Sequence, residues 1–561
     1  MKKIFKNIQR LLFFSVIFIS CEDFLEEEPL DFSSSVNSFE TMSDFESTLA
    51  DVYARYRELH YSRAGDNRYA FAHLYGTDIM KDARETDDFR RFGNYGTVLT
   101  SVSDVPQWHW DRWFKVVSQA NTIINRSNDA ELEEIDRTLV QAEALLFRAL
   151  AYRYLVYLWG DVPLLLEEVV TVRNDLVRED CNVVLLQIAE DAEFAAQNLP
   201  AISEVEDGRL SNLVAYHLLA ETYISLERWN DAITAASAVI DDANTSLMTD
   251  RFGTRATEEP GDVYWDLFRA GNQNRSSGNR EAIWVAQMEV DVLGGLLTSG
   301  GNGENGLERL HSPVSWTLTD PDGTLAMLGP RSDTNVGGRG VSFMRPTDHF
   351  ENTIWESDFD NDIRNANHNY SRTITYDNPE SNFFGMSAID PASLSPRIAA
   401  QDWRWYPYLT KVTTPGNHPT ELYSDNDLQL LANTAGSTYR DQYYIRLAET
   451  YLLRAEAYLG SGNTTSAADD INAVRARSNA GPVAPGEVTI DYILDERARE
   501  LSLEEQRRIT LHRVGRLIER VRLYNDHNDD DIQGFHNLWP IPLNDIQANT
   551  QAELAQNRGY E

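Results

Sequence analysis

Between Leu213 and Ile240 apolar side chains return every three or four residues. Ala215, Leu218, Leu219, Ala220, Tyr223 and Leu226 form one stripe, and Trp229, Ala232, Ala236 and Ile240 form a second. That period places one face of an amphipathic helix against a core. Small alanines at close-approach positions and one large aromatic near the turn are the composition of a tetratricopeptide-type helix pair. A similar pair is predicted over Tyr443–Leu459 and Thr465–Arg477, with Gly460-Ser461-Gly462-Asn463 as its turn. The irregular spacing between the two copies argues against an uninterrupted solenoid.

The same periodicity predicts helices over residues 108–124, 139–159 and 183–199, and a last helical block over 491–524. Gly160 and Pro163 end the second of these, and Pro200 ends the third. Residues 244 to about 440 are different, being rich in Gly, Pro, Asn and Asp, with short extended runs at 282–286 and 372–376. This is loop and short-strand chemistry, and its many aromatic residues argue against disorder. The chain therefore divides into residues 1–20, a leader; 21–243, a helical region; 244–440, a loop-rich region expected to face a ligand; and 441–561, a second helical region. The fold class is mainly α: a tetratricopeptide-like scaffold carrying a loop-rich region with short strands.

The leader has Lys2, Lys3, Lys6 and Arg10 ahead of the apolar run Leu11–Ile19. A basic start and an apolar run of roughly 7–15 residues form a secretory signal, too short for the about 20 residues of a membrane span. Small Ser20 before Cys21 suits lipoprotein processing, with Cys21 as the lipidated residue; an ordinary signal peptide would favour an A-x-A-like end. A lipid anchor would hold the protein at a membrane without spanning it. The formal net charge of −38 repels phosphate backbones, which excludes nucleic acid as a natural partner. Beyond Cys21 only Cys181 remains, so no internal disulfide framework is available, and Cys181 reads as a small packing residue.

No catalytic constellation stands out. Gly301–Gly306 spells G-x-G-x-x-G without the preceding strand that dinucleotide binding requires. Asp358–Asp362 begins like a calcium loop, but Ile363 stands where an EF-hand needs Gly and Asn369 where it needs Glu. A solvated acidic loop is the simpler reading; a structural cation of another kind stays open, unassigned, and no cofactor is expected. Acidic pairs such as Glu504-Glu505 point apart on a helix, whereas glycoside hydrolysis needs two carboxylates facing across one bond.

The loops do carry rings. Sugars stack their C–H faces on indoles and phenols while amides, carboxylates and arginines read the hydroxyls. Phe89, Asn94, Tyr95, Trp316, Trp355 and Trp403 are the candidate ligand residues. Trp113, Trp229 and Trp284 are assigned to packing.

Several segments in order resemble the SusD/RagB family: Ser20–Leu25, Ala142–Ala149 leading to Leu158–Leu164, Arg345–Asp348 with Asp360–Asn365, Pro407–Lys411, Ile445–Ala457, Glu496–Leu501, Trp539–Ile546 and Gln556–Tyr560. The resemblance implies the SusD-like fold, no enzymatic activity, and an outer-membrane lipoprotein of Bacteroidetes that binds a nutrient. The acids after Cys21 look like that group's surface-export signal. It further implies a SusC-like TonB-dependent transporter as partner, with the lipoprotein as lid over a glycan or, alternatively, a peptide. A glycosidase or a protein-only tetratricopeptide adaptor are the competing classes. Arg446, Glu449, Arg454, Glu456, Glu496 and Arg499, from the family-like segments, read as helix-packing ion pairs. The chain departs mildly from the family at Glu505–Ile509.

Overall fold

The computed structural model describes residues 39–61, 69–84, 93–292, 296, 298, 305–332 and 337–561. The leader and Cys21 lie outside the described residues, as do Phe89 and Gly301 to Glu304. The helices that build the scaffold are α1 (Met42–Tyr61), α2 (Asp104–Asp129), α3 (Glu134–Trp159), α4 (Cys181–Asn198), α5 (Asn212–Ser225) and α6 (Trp229–Ile240). After the loop-rich region come α7 (Leu447–Gly460), α8 (Thr464–Arg477), α9 (Ile490–Leu501), α10 (Arg507–Arg513) and α11 (Leu517–Tyr524).

From α2 to α8 each helix packs on the next, and α7 packs on α6 although the whole loop-rich region separates them in sequence. The closest approach is at the end of α7. A Cβ on Gly460 would stand 2.6 Å from the Trp229 ring, so only the missing side chain lets this helix end meet the start of α6. Local signals set the helix ends. Gly160 takes a left-handed φ of 72° after α3, a conformation that costs glycine little. The Asn463 side chain accepts from Ser466 N at 3.1 Å to start α8.

The structure moves one predicted boundary. Tyr443 to Arg446 is not helical: Gln442–Arg446 forms a strand antiparallel to Ala282–Ala286. Aromatic and β-branched side chains favour that extended pairing. The 372–376 run is not a strand either; Tyr370–Ser371 pairs with Tyr408–Leu409, and Thr375 makes a single bridge to Ser387. The helical block over 491–524 holds three helices, α9 to α11. All strands here are short, paired two by two; those that matter below are β1 (Met80–Asp82) and β2 (Met344–Pro346). Trp113 and Trp284 are buried, as packing residues should be. One apolar cluster runs from Phe45 to Leu554, so the helices and the loop-rich region share a core.

Candidate functional site

The antiparallel pair β1–β2 brings distant parts of the chain together. Met80 pairs with Pro346 and Asp82 with Met344, and Ala83 N then donates to Phe343 O at 3.0 Å. Arg84, the next residue, is thereby delivered to the loop region, where its guanidinium carbon lies 4.0 Å from the Trp403 ring centroid and 6.0 Å from that of Phe343.

Trp316 and Trp403 sit on single 3-10 turns, Ser315–Thr317 and Asp402–Arg404. The segment 339–343 runs between them. Trp316 Nε1 donates to Gly340 O at 3.4 Å, and Ser342 Oγ donates to Trp403 O at 2.8 Å. Arg404 Nη1 donates to Thr317 Oγ1 at 2.5 Å while its guanidinium carbon lies 4.5 Å from the Trp403 ring. Arg397 Nη1 donates to Thr317 O at 2.8 Å. Its turn is capped by Ser395, whose Oγ also donates to Thr319 O at 2.7 Å. Arg339 completes the group, 5.4 Å from the Trp316 ring. Trp316, Phe343 and Trp403 are all half-buried, each keeping part of its ring at the surface. Burial, and then the like charge of Arg397, lower the Arg404 guanidinium from its ordinary pKa. Two of the six candidate ligand residues thus meet in one place, with arginines as neighbours.

Three others are corrected. Trp355 is 1% exposed, donates from Nε1 to Phe350 O at 2.7 Å and packs edge-on against Phe350. Tyr95 is 3% exposed; its hydroxyl donates to Gly76 O at 2.5 Å and Arg508 lies against its ring. Both are core rings. The Asn94 amide oxygen is spent on a helix cap, accepting from Thr97 N at 3.1 Å. Phe89 lies outside the described residues. The arginines Arg84, Arg339 and Arg397 and the ring of Phe343 were missed, because nothing local marks them; Arg404 directly follows the candidate Trp403 in the sequence.

The family-like charged residues form a separate, interior system. Arg446 contacts Glu281 at 2.6 Å, Glu500 at 2.8 Å and Glu504 at 2.6 Å. Glu496 is met by Arg364, Arg475 and Arg499, each at 2.8 Å. Glu449 pairs with Arg497, Arg454 with Asp470 and Glu456 with Arg513. Burial would raise Glu496 and Glu500, but the arginines around them win and hold both well below the usual carboxylate range. The Arg446 and Glu496 groups fasten the loop-rich region to α8 and α9, and the other three pairs tie α7 to α8, α9 and α10.

The calcium-like segment belongs to the same system. Asp358 accepts from Arg475 at 2.6 Å and from Gly481 N at 3.0 Å, and Asp362 pairs with Arg364 at 2.7 Å. Among the described residues no group of three or more His, Cys, Asp or Glu side chains is placed to hold a metal ion. Cys181 is half-buried at the start of α4, and burial followed by Asp161 raises its thiol pKa, which suits packing better than nucleophilic attack.

Comparison with known proteins places the chain. The family model described as "SusD family" matches residues 334–560. That described as "Starch-binding associating with outer membrane" matches residues 23–224. SusD-like protein P25 of Formosa agariphila is 25% identical over 598 aligned positions, covering 99% of each chain. A laminarin binding SusD-like protein superposes with a TM-score of 0.66 at 22% identity, over 92% of this chain and 99% of that one. Surface glycan-binding protein A from Bacteroides thetaiotaomicron, in complex with laminarihexaose, does so at 0.63 and 18%, over 92% and 99%. Matched at both ends and alike in fold between them, the chain belongs to the SusD/RagB family.

Proposed function

We propose that this protein is a non-catalytic glycan-binding lipoprotein of the outer membrane. It holds an oligo- or polysaccharide at the Trp316–Trp403 surface and passes it to a SusC-like TonB-dependent transporter, over which it acts as lid. The convergence of Trp316 and Trp403 on one loop segment carries this reading, since half-exposed rings flanked by hydrogen-bond donors are what sugar stacking requires. Structurally similar proteins include a laminarin binder and a glycan-binding protein in complex with laminarihexaose, which supports the same reading. Among the described residues no helix is long and apolar enough to cross a membrane, and the Ser20-Cys21 border supports attachment through lipid on Cys21.

The test is isothermal titration of the purified protein against a panel of oligosaccharides, with peptides as a parallel arm. A saccharide is expected to bind, and Trp316→Ala to weaken it at least about tenfold. Absence of any saccharide binding at millimolar concentration, or peptide binding in its place, overturns the reading. Cys21→Ser should abolish incorporation of labelled fatty acid.

A further inference from the structure

The Trp316–Trp403 surface is richer in positive charge than a neutral sugar needs. Trp403 is stacked by two guanidiniums, at 4.0 Å for Arg84 and 4.5 Å for Arg404. Arg397 and Arg404 converge on one residue, Thr317, through its carbonyl and its hydroxyl. Neither has a carboxylate within ion-pair distance among the described residues, whereas interior arginines such as Arg364, Arg446 and Arg475 are paired with acids. Arg397 is exposed and spends one N–H on Thr317, which leaves its Nε–Nη2 edge open. Arg404 spends Nε on Gln401 and Nη1 on Thr317, which leaves Nη2.

The acids nearby are already engaged. Asp402 pairs with Arg345 at 2.7 Å. Glu308 is buried and accepts from Thr413 Oγ1 at 2.6 Å and from Arg339 N at 2.9 Å, with His418 Nε2 at 2.9 Å. Two like charges with no counter-ion cost free energy unless a ligand supplies one. Such a pair stands out on a chain whose formal net charge is −38.

Resting on the glycan reading above, we infer that the saccharide taken at this surface is anionic, its carboxylate or sulfate groups bound by Arg397 and Arg404 beside the Trp316 ring. A guanidinium edge matches the two oxygens of either group, and charge-assisted hydrogen bonds are about twice as strong as neutral ones. Screening over about 8–10 Å confines the repulsion from the rest of the acidic surface, so the local arginines decide. The Trp316 ring reads the sugar; the arginines read its charge.

The full chain would be titrated with laminarihexaose, an oligouronate and a sulfated oligosaccharide of like length, at low and at physiological salt. At least one anionic ligand is expected to bind about tenfold or more tighter than the neutral one, with an advantage that shrinks as salt rises. Arg397→Gln with Arg404→Gln is expected to bring that ligand down to the level of the neutral one. Preference for the uronate or for the sulfated ligand assigns the charged group. Should the double variant melt early, Arg397→Gln alone, a change at an exposed side chain, serves in its place with about half the effect on a logarithmic scale. Neutral and anionic ligands binding alike, or anionic affinity unmoved by the arginine changes, overturns the inference. If Trp316→Ala still weakens the neutral ligand in that case, the glycan reading survives without it. Binding by none of the three ligands removes both.

Discussion

Arg364 and Glu496 stand 2.8 Å apart with both side chains fully shielded from solvent, although 132 residues separate them in the chain. Arg364 also contacts Asp362 and Glu500, and Glu496 is shared with Arg475 and Arg499. The loop-rich region is therefore anchored to α8 and α9 through charge as well as through apolar contact. Removing one member leaves the others buried and uncompensated. Glu496→Gln, which keeps the shape, should cost about 3–5 kcal/mol in a denaturant titration. A loss below about 1 kcal/mol would mean the network contributes little.

Acid should weaken the fold in two windows. Burial lowers His60, His109 and His311 from 6.5 to about 3 and His512 to about 4. The unfolded chain takes up these protons below about 6.5 and the folded chain does not. Their contribution is complete above that pH and is lost as pH falls toward the folded values. Glu221 acts lower: burial opposes ionisation, but Arg153 outweighs it and brings the group from 4.5 to about 2, so its contribution is lost between those values. Melting temperatures from neutral to acid pH should fall without a maximum, and more steeply below about pH 4.5.

The contact of Gly460 with Trp229 gives a paired test. Gly460→Ala must displace the indole ring, at a cost of about 1–3 kcal/mol. In a Trp229→Ala background the same change should cost much less. Equal costs in the two backgrounds, measured as a double-mutant cycle, would contradict the contact.

Two tryptophans of the loop region should behave oppositely. Trp355→Ala opens a cavity beside Phe350 and leaves the Phe350 carbonyl without its partner, lowering stability by about 3–5 kcal/mol. Trp316→Ala should lower the unfolding free energy by at most about 1 kcal/mol while weakening saccharide binding at least about tenfold. Thermal melts and titrations on the same two variants separate the roles.

The scaffold was legible because helix periodicity is local. The stripe in Leu213–Ile240, the glycine after Trp159 and the Gly460–Asn463 turn each report on neighbours within a few residues, and α3 to α8 follow them closely. The motif residues were legible as ion pairs for a related reason, since charged residues inside apolar helix stripes need partners. Tyr443 to Arg446 misled because a short apolar run suits helix and strand alike until its partner strand is known.

From its own residues, then, the chain determined the helices, the irregular character of its middle and membership in a family. Which rings stay open was decided only in three dimensions. Tyr95 is closed over by Arg508, which lies 413 positions away, while Trp403 keeps part of its surface and receives Arg84 from across the β1–β2 pairing. Exposure of a side chain depends on what the rest of the chain lays against it, and no local pattern of residues encodes that.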